Sequence, residues 1–565
     1  MPAFTPEKIR QRRLHYGQFA TPLQLCRHML SSVIQSPSDR VLDPALGDGL
    51  FLREALKQGH RPHNLYGIEA DAEINIDLPE TTNVYRGSFL ESALPYEANF
   101  FDVVIGNPPY IRHELLESPL KQQIQLLNAS AKLPNTLDMY LWFFVKAWEL
   151  LKPGGRLCFV SSNSWLYTQG GQQFTQWLAR HYRIISLSES TCERWFDDAA
   201  IHGVVTILEK RTHVLENPTD DPEHRIQSIQ LNTPLNHPRQ STRVRSFPQS
   251  VLGQQKLSFW LQSPDFLNPW LAQSPEKWVQ LSNIGQVRYP VKTGINAFFY
   301  VDAETIARFG IEPEFLIPAV KSSRSVTRYT VSANECPYFL FSCMLSPQEL
   351  IQQGKTGALN YIQWGETQSA PPRQKRQQAT RWPQIASVRN RPHWYQIAPL
   401  PTADILCNRF TDKRFFFAQC SAPLIEDQTF YGLTLFNRND CDFIAALLNS
   451  TLGYVLLSLC GQSNLGEGVL QCSRADTANI IIPNPDLYDA GVKEKLVSHW
   501  QRMRNRCVLP VEMEIKQADR KELDQLVLSV FNCKTEILHR KLIKTWHEST
   551  LTRLQRSKNI IKPVL

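Results

Sequence analysis

Seven short apolar runs recur between residues 40 and 209, and stretches with helical patterning separate many of them. Runs of this length are typical of buried strands, and strands that alternate with helices build mainly parallel sheets. The alternation therefore predicts a doubly wound α/β domain. The predicted strands are 40–43, 65–69, 83–86, 101–105, 156–161, 183–188 and 203–209, and one helix is predicted over 138–151.

The rest of the chain lacks this alternation. Residues 213–255 are polar and proline-rich and are interpreted as a connection with one strand at 225–231. Residues 256–485 mix short aromatic-rich runs with loops, and residues 486–545 have a charged helical pattern. This change of pattern along the chain predicts two domains, 1–245 and 246–565.

Composition narrows the class of protein. No run of 18 apolar residues occurs, and the basic N-terminus is not followed by an apolar segment. We therefore expect no membrane span and no secretory signal. The 12 cysteines form no CxxC pair, so they predict reduced thiols and no metal site. These features indicate a cytoplasmic protein.

The net charge of +8 is concentrated in the second part of the chain. Residues 1–212 hold 21 Lys and Arg against 22 Asp and Glu, whereas the remainder holds 40 against 31. A local basic excess favours a polyanion as partner. A merely soluble basic surface remains an alternative.

The stretch VLDPALGDGLFL, residues 41–52, predicts a ligand-binding turn. Asp43 ends a strand, and Gly47 and Gly49 allow a ligand to approach the backbone. Leu52 stands where a dinucleotide fingerprint requires a third glycine. Glu69 ends the next strand, where a carboxylate can accept hydrogen bonds from ribose hydroxyls. The acidic strand ends favour a cationic nucleoside such as S-adenosylmethionine, although both residues could also be caps or turn residues.

Upstream, Thr21-Pro22-Leu23-Gln24 predicts a helix start with Thr21 as the N-cap. The free backbone N–H groups of such a turn can bind a carboxylate, here that of the methionine part of the cofactor. A purely structural cap is the alternative.

The stretch FDVVIGNPPY, residues 101–110, ends a predicted strand with an amide, two prolines and an aromatic ring. An exocyclic amine on a base is a poor nucleophile because its lone pair is delocalised into the ring. Two acceptors, the Asn107 amide oxygen and the Pro108 carbonyl, could free that lone pair for in-line methyl transfer. The prolines hold the turn rigid, and Tyr110 can stack on an extruded base. A plain strand-ending turn is the alternative.

These segments, in this order, resemble the gamma-type (TaqI-like) adenine-N6 DNA methyltransferases. The resemblance is carried by GQFATP (17–22), DPALGDGLFL (43–52), GIEAD (67–71), GSFL (87–90), FDVVIGNPPY (101–110) and residues 138–160. It implies a Rossmann-like S-adenosylmethionine-dependent methyltransferase sheet, followed by a mixed α+β DNA-recognition domain. The implied function is site-specific methylation of adenine N6 in double-stranded DNA, within a restriction–modification or related defence system.

The resemblance also implies roles for individual residues. Cofactor contacts are expected from Thr21, Asp43, Ala45, Gly47, Gly49, Glu69, Ser88, Phe89 and Asn107. The target adenine is expected to meet Asn107, Pro108, Tyr110 and Phe196, although Phe196 could instead be a core aromatic beside Trp195. Three positions depart from the family pattern: Leu46, Asp48 and Ser88, which replace a Cys, a Ser and an acidic residue.

The C-terminal domain resembles the target-recognition regions of the family in segments 291–302, 387–397 and 445–485. Residues 373–391 hold six Lys and Arg and no acidic residue, with Trp382 among them and Trp394 and Tyr395 nearby. Cations interleaved with aromatic rings suit DNA, and a solvated charged face is the alternative. The predicted DNA-binding residues are Arg373, Lys375, Arg376, Arg381, Arg389, Arg391 and Trp394.

The sequence is also compatible with two other functions. One is a methyltransferase acting on RNA or protein glutamine, and the other is a DNA-binding subunit with a vestigial pocket. Because the motifs begin near residue 17, we expect a partner restriction endonuclease to be a separate protein.

Overall fold

The computed structural model describes residues 17–196, 202–253, 255–371, 379–398, 401–462, 468–531 and 535–560. The chain forms two compact units, Met1–Gln273 and Ser274–Leu565. The predicted boundary after residue 245 falls inside a strand, Thr242–Pro248, that pairs residue by residue with Arg225–Leu231. The boundary therefore lies 28 residues later than predicted, because this hairpin belongs to the sheet of the first unit.

The first unit contains a nine-stranded mixed sheet in the order β3-β2-β1-β4-β5-β7-β6-β8-β9. Strands β3, β2, β1, β4 and β5 are parallel, whereas β7 runs antiparallel to both β5 and β6. All seven predicted strands are present, and the predicted α/β fold is confirmed. The strands are β1 Val41–Asp43, β2 Leu65–Glu69, β3 Asn83–Arg86, β4 Phe101–Gly106, β5 Leu151–Ser162, β6 Tyr182–Ser190, β7 Gly203–Lys210, β8 Arg225–Leu231 and β9 Thr242–Pro248.

Strand order defines where a ligand can bind. From β1 the chain passes outward to β2 and β3 and then returns to the other side of β1 as β4. In open α/β sheets, ligands bind at the carboxyl ends of the strands where the order reverses in this way. Asp43, Glu69 and Gly106 occupy these ends.

The sequence predicts two helices in the first unit, and both are present, one of them with a different N-cap. The helix predicted over 138–151 spans Met139–Leu150. The first described helix begins at Leu23 with Pro22 as its N-cap, so the prediction that Thr21 caps it is wrong. The helices are α1 Leu23–Val33, α2 Leu50–Lys57, α3 Ser118–Ala131, α4 Met139–Leu150, α5 Gln169–His181, α6 Leu257–Gln262 and α7 Asn268–Gln273.

Residues 213–255 contain more secondary structure than the predicted connection with one strand. The strand predicted at 225–231 is present as β8, and β9 extends the sheet by one further strand. Most side chains of β9 are exposed, so its sequence carries little of the apolar signal that marks a buried strand.

The second unit combines small sheets with helices, which confirms the predicted mixed α+β class. The strands of this unit are β10 Trp278–Gln280, β11 Gly285–Arg288, β12 Tyr300–Val301, β13 Leu316–Val320, β14 Thr330–Val331, β15 Tyr338–Phe341, β16 Ser369–Ala370, β17 Thr380–Arg381, β18 Ile405–Asn408, β19 Phe410–Thr411, β20 Phe417–Cys420, β21 Ile425–Glu426, β22 Phe430–Leu435, β23 Leu470–Gln471 and β24 Ile481–Pro483. One sheet has the order β11-β22-β18-β20-β14 and another the order β12-β15-β13-β21.

Helices dominate the end of this unit, as the charged helical pattern predicts. They are α8 Leu281–Ile284, α9 Asn296–Phe299, α10 Ala303–Phe309, α11 Pro347–Gln352, α12 Thr356–Thr367, α13 Cys441–Leu448, α14 Thr451–Cys460, α15 Arg474–Ala478, α16 Ala490–Met503, α17 Val511–Glu514, α18 Ala518–Leu528 and α19 Thr535–Ile560. Within the described ranges, no single helix is long and apolar enough to cross a membrane. One pair of helices meets both criteria together, but the pair, Arg438–Leu448 and Thr451–Cys460, is bent by 83°.

Candidate active site

The glycine turn after β1 is held against the end of β2. The Gly47 N–H donates to Glu69 Oε2 at 2.7 Å, and the Leu46 N–H donates to the Ile68 carbonyl at 2.9 Å. Gly47 has φ +57°, and a Cβ placed there would meet nothing within 4 Å. The backbone of this turn therefore faces open space, as a ligand-binding turn requires.

Two buried carboxyl groups flank this turn. Asp43 is fully buried, and its Oδ1 accepts a hydrogen bond from the Ala45 N–H at 3.1 Å. Burial raises the pKa of Asp43 to about 8, and its Oδ2 has no partner among the described residues. Burial also raises the pKa of Glu69, against hydrogen bonds from the Asp71 and Gly47 N–H groups. An acidic pocket with an unpartnered carboxyl oxygen suits a cationic nucleoside.

The amide of Asn107 is held in one orientation by the segment before α1. Its Nδ2 donates to the Phe19 carbonyl at 2.9 Å and to Thr21 Oγ1 at 3.2 Å. Its Oδ1 is buried and has no hydrogen-bond partner among the described residues. The Tyr110 N–H donates to the Gly17 carbonyl at 3.0 Å, so the same segment also holds the end of the NPPY loop. The result is a hydrogen-bond acceptor left without a donor.

Gly106 joins the two halves of the site. A Cβ at this position would lie 2.8 Å from Asp43 Oδ1 and 3.3 Å from the Pro44 ring. Only glycine therefore lets β4 run this close to the acidic end of β1. Asn107 begins directly beyond that contact, so the amide and the Asp43 carboxyl group belong to one site.

Three aromatic rings surround the NPPY tyrosine. The Tyr110 ring centroid lies 5.5 Å from that of Phe19, 6.1 Å from Phe196 and 5.9 Å from Tyr140. Phe196 is only 5% exposed and belongs to the core cluster of the first unit. The structure thus brings Phe196 to Tyr110, as the resemblance implies, while the ring also packs as a core aromatic.

The departures from the family pattern have structural counterparts. Leu46 is buried over Gly67, where a Cβ would lie 2.6 Å from Leu46 Cδ2. Asp48 is exposed and forms an ion pair with Arg53 at 2.7 Å. Neither substitution places an unpaired charge in the turn.

At the third departure, Ser88 has a carboxylate beside it. The Ser88 N–H donates to Glu91 Oε1 at 2.7 Å, and Tyr85 Oη donates to Glu91 Oε2 at 3.0 Å. Phe89 is buried, and its ring lies 5.0 Å from that of Phe143.

Sequence reasoning missed Phe19, Tyr140 and Glu91. Phe19 lies inside the GQFATP segment that carries part of the resemblance, and Tyr140 lies inside another. Their roles depend on contacts between distant parts of the chain, so no local pattern indicates them. Glu91 follows Ser88 by three residues, which is the only signal the sequence offers for it.

The predicted DNA-binding residues of the second unit divide into three groups. Arg373, Lys375 and Arg376 lie outside the described residues. Arg381 and Arg389 are exposed. Arg391 and Trp394 are parts of the scaffold.

Arg391 donates to the carbonyls of Gln396, Lys292 and Thr293, and its guanidinium lies 5.3 Å from the Phe299 ring. Trp394 is 8% exposed, and its ring lies 4.5 Å from that of Phe298. The prediction that Trp394 meets DNA is therefore wrong, because the ring fills the core of this unit. The nearby Trp382 and Tyr395 are buried in the same cluster.

The sheet order, the acidic strand ends and the glycine turn define an S-adenosylmethionine-dependent methyltransferase fold. The Eco57I restriction-modification methylase model matches residues 53–196, and the model of the C-terminal domain of the Type II methyltransferase M.Eco57I matches residues 270–520. The chain belongs to this family of restriction–modification methyltransferases.

Individual relatives agree with this assignment. The chain is 23% identical to the Type II methyltransferase M.AccI of Acinetobacter calcoaceticus, over 68% of this chain and 72% of that protein. It is 33% identical to a Type II methyltransferase of Thermus thermophilus, over 30% of this chain and 39% of that protein. The similarity to M.HincII of Haemophilus influenzae, at 28% identity, covers 32% of this chain and 35% of that protein.

Among solved structures, the Type IIL restriction-modification enzyme MmeI, determined in complex with DNA, matches 94% of this chain and 75% of that one. The TM-score is 0.50 at 16% identity, which shows a shared fold.

Proposed function

We propose that this protein methylates adenine N6 at specific sites in double-stranded DNA, with S-adenosylmethionine as methyl donor, within a restriction–modification system. The observation that carries the proposal is the fixed amide of Asn107. Both described contacts of its Nδ2 are with acceptors, so Oδ1 is left buried and unpartnered. A buried acceptor without a donor is costly, so a bound donor such as an amine would relieve it.

The target amine would meet two acceptors. Asn107 Oδ1 and the Pro108 carbonyl would each accept one hydrogen from the exocyclic nitrogen, which draws its lone pair out of the ring. Residues 17–21 hold the NPPY loop at both Asn107 and Tyr110, so little reorganisation is needed when the base enters. Positioning and preorganised polar groups are then the main sources of rate.

The rings would hold the base itself. The ring centroids of Tyr110 and Phe196 lie 6.1 Å apart, and the Phe19 ring packs against both. The three rings give an apolar environment next to the Asn107 amide. An adenine extruded from a duplex exposes two apolar faces that aromatic side chains can cover. Contacts of this kind support a flipped base as the substrate.

The acidic turn would hold the cofactor. Glu69 would accept hydrogen bonds from the ribose hydroxyls, and the open backbone at Gly47 would admit the nucleoside. Gly49, where a Cβ would lie 3.1 Å from Leu78, is proposed to keep the turn tight. A bound cation would favour the ionised form of Asp43 and so lower its raised pKa. Thr21, Ala45, Ser88 and Phe89 are proposed to complete the pocket. When bound, S-adenosylmethionine supplies an electrophilic methyl group on sulfonium, which makes a neutral amine with a freed lone pair a sufficient nucleophile.

Product analysis tests the proposal directly. The purified chain is incubated with plasmid DNA and methyl-labelled S-adenosylmethionine, the DNA is digested, and the nucleosides are identified by mass spectrometry. We expect label in N6-methyldeoxyadenosine, confined to one sequence motif on modification-sensitive sequencing. Label in cytosine, RNA or protein glutamine would contradict the assignment of adenine, and no transfer would favour a DNA-binding subunit.

A further inference from the structure

The five-stranded sheet of the second unit brings exposed rings and cations to one surface. Strands β11 and β18 flank β22, and both run antiparallel to it. Both therefore end beside the first residues of β22. This register places Tyr289, which follows β11, beside Tyr431, and Arg409, which follows β18, beside Thr429 on the other side of β22.

Tyr289 is an unusually exposed aromatic residue. Its side chain is 59% exposed, although its ring lies 6.1 Å from that of the buried Tyr431. Two cations face the same ring, with Arg474 Cζ at 5.1 Å and Lys292 Nζ at 5.8 Å from its centroid. Pro290 restricts the backbone of Tyr289, so the ring is presented by a stiff segment.

A second ring and a third cation lie on the other side of β22. Phe410 is 40% exposed, and Arg409 Cζ lies 5.2 Å from its ring centroid. The Cys472 N–H donates to the Arg409 carbonyl at 3.0 Å, which brings the chain that leads to Arg474 alongside. Burial raises the pKa of Tyr431 and the charge of Arg409 opposes this rise, so the cation acts on the same central phenol.

The three cations are not neutralised within the described part of the unit. No described Asp or Glu forms a salt bridge with Lys292, Arg409 or Arg474. The Nε atoms of both arginines are buried and have no hydrogen-bond partner among the described residues. The nearby Asp476 is 2% exposed and is bound to the Ser473 N–H in a helix cap. The surface therefore combines two exposed rings with three cations that form no salt bridge with a described carboxylate.

We propose that this Tyr289–Phe410 surface, formed by Tyr289, Lys292, Arg409, Phe410 and Arg474, is a contact surface for duplex DNA. The inference rests on the proposed function and adds the place at which the second unit meets its substrate. The three cations bind backbone phosphates, and the two rings pack on sugars and base edges. Three cations beside the buried carboxyl group of Asp476 leave an excess of positive charge that is complementary to a polyanion, and fixed phosphate contacts set the position of a protein on DNA.

The surface lies apart in sequence from the basic run that composition singles out. Arg391 of that run supports the surface instead, because it donates to the carbonyls of Lys292 and Thr293. Removing Arg391 is therefore not a clean test of either region.

DNA affinity across a salt series tests the proposal. The full chain and its variants are titrated against a fluorescent duplex that contains the methylated motif, from low to physiological potassium chloride. Lys292→Ala with Arg474→Ala should lower the slope of log affinity against log salt by about one unit per lost phosphate contact. Tyr289→Ala should weaken binding about tenfold with an unchanged slope, since the burial of a ring against sugars and base edges is not ionic.

Two further variants serve as a control and as an alternative to Arg474→Ala. Arg308 is an exposed arginine beside the Phe309 ring at 5.1 Å, so Arg308→Ala removes a comparable cation elsewhere in the unit and should change nothing. Arg474 donates to the Val287 carbonyl, so its loss could disturb folding. Lys292→Glu avoids this problem because Lys292 is exposed, and it should weaken binding more than Lys292→Ala.

The outcomes separate this inference from the proposed function. If the wild type methylates DNA while the surface variants bind with unchanged affinity and slope, the surface is wrongly assigned and the function stands. If the variants change self-association or protein binding and leave DNA affinity intact, the surface contacts protein and the inference is overturned. If the wild type binds no duplex, the inference and the proposed function both fail.

Discussion

The candidate active site and the Tyr289–Phe410 surface both combine aromatic rings with polar groups, but they expose them differently. Phe196 of the site is 5% exposed, whereas Tyr289 of the surface is 59% exposed. The polar groups of the site are neutral amides and carboxyl groups with directed hydrogen bonds, whereas those of the surface are cations. The first arrangement can orient one small group, and the second can follow a long polyanion.

We therefore expect the site to determine the rate of methyl transfer and the surface to determine the affinity for DNA. Interactions in a buried, preorganised site act on the reacting atoms, so they change turnover. Exposed cations act on the whole nucleic acid and are screened by salt, so they change binding.

Asn107→Ala should have the largest effect. Loss of a preorganised polar group at a reacting centre lowers the rate about 100- to 1,000-fold. Single-turnover methylation should show this loss, while calorimetry finds cofactor affinity largely intact and titration finds DNA affinity unchanged. Asn83→Ala, at an exposed asparagine of β3, is the matched control. Near-normal turnover in the Asn107 variant would refute the amide mechanism.

Glu69→Ala should weaken cofactor binding about 10- to 100-fold, since each charge-assisted hydrogen bond contributes about 1.5–3 kcal/mol. Glu69→Gln, which keeps the shape and one acceptor, should lose less. Isothermal titration with S-adenosylmethionine measures both variants, and circular dichroism checks that the turn held by Glu69 still folds. A dissociation constant equal to that of the wild type would move the ribose contact elsewhere.

Thr21→Val should lower the turnover number about 5- to 10-fold, because a neutral hydrogen bond contributes about 1 kcal/mol. The substitution removes the hydroxyl that accepts from Asn107 Nδ2, so the amide is held only by the Phe19 carbonyl. Thr21→Ser should restore most of the rate. If Thr21 instead acts only on the cofactor, the Michaelis constant for S-adenosylmethionine rises and turnover at saturation stays normal.

Arg391→Ala should have the smallest effect on the ionic part of DNA binding. Its loss frees three carbonyls and should lower the free energy of unfolding by about 2–4 kcal/mol. Thermal denaturation should show this, and the salt slope of DNA binding should stay unchanged. Arg389→Ala, at an exposed neighbour, should leave the melting temperature unchanged. A slope lower by about one unit for the Arg391 variant would make it a phosphate contact.

Much of the first unit is predictable because its signals are local. Strands buried inside a parallel sheet are continuous apolar runs, so β1, β2 and β4 stand out together with the residues at their ends. The exposed β9 has no such run, so the sequence does not predict it. The local sequence at Thr21 fits a helix cap, but a contact with Asn107, 86 residues away, determines where its hydroxyl points.

The second unit is harder to predict because its strands are short and its aromatic residues are ambiguous. β12, β14 and β19 have two residues each, too few to show a period. Trp394 and Tyr289 both lie near cations in the sequence, yet one is buried and the other exposed. Composition counts such residues alike, and only the packing of distant strands decides which of them reach the surface.

The segment that orients Asn107 has a consequence for local stability. Residues 17–21 belong to no helix or strand, and they are held to the NPPY loop by hydrogen bonds at Gly17, Phe19 and Thr21. Segments of this kind open at a lower cost in free energy than sheet strands do. Methyl transfer should therefore be lost under mild denaturing conditions that leave the sheet intact, since a partial opening releases the amide before the cofactor turn unfolds.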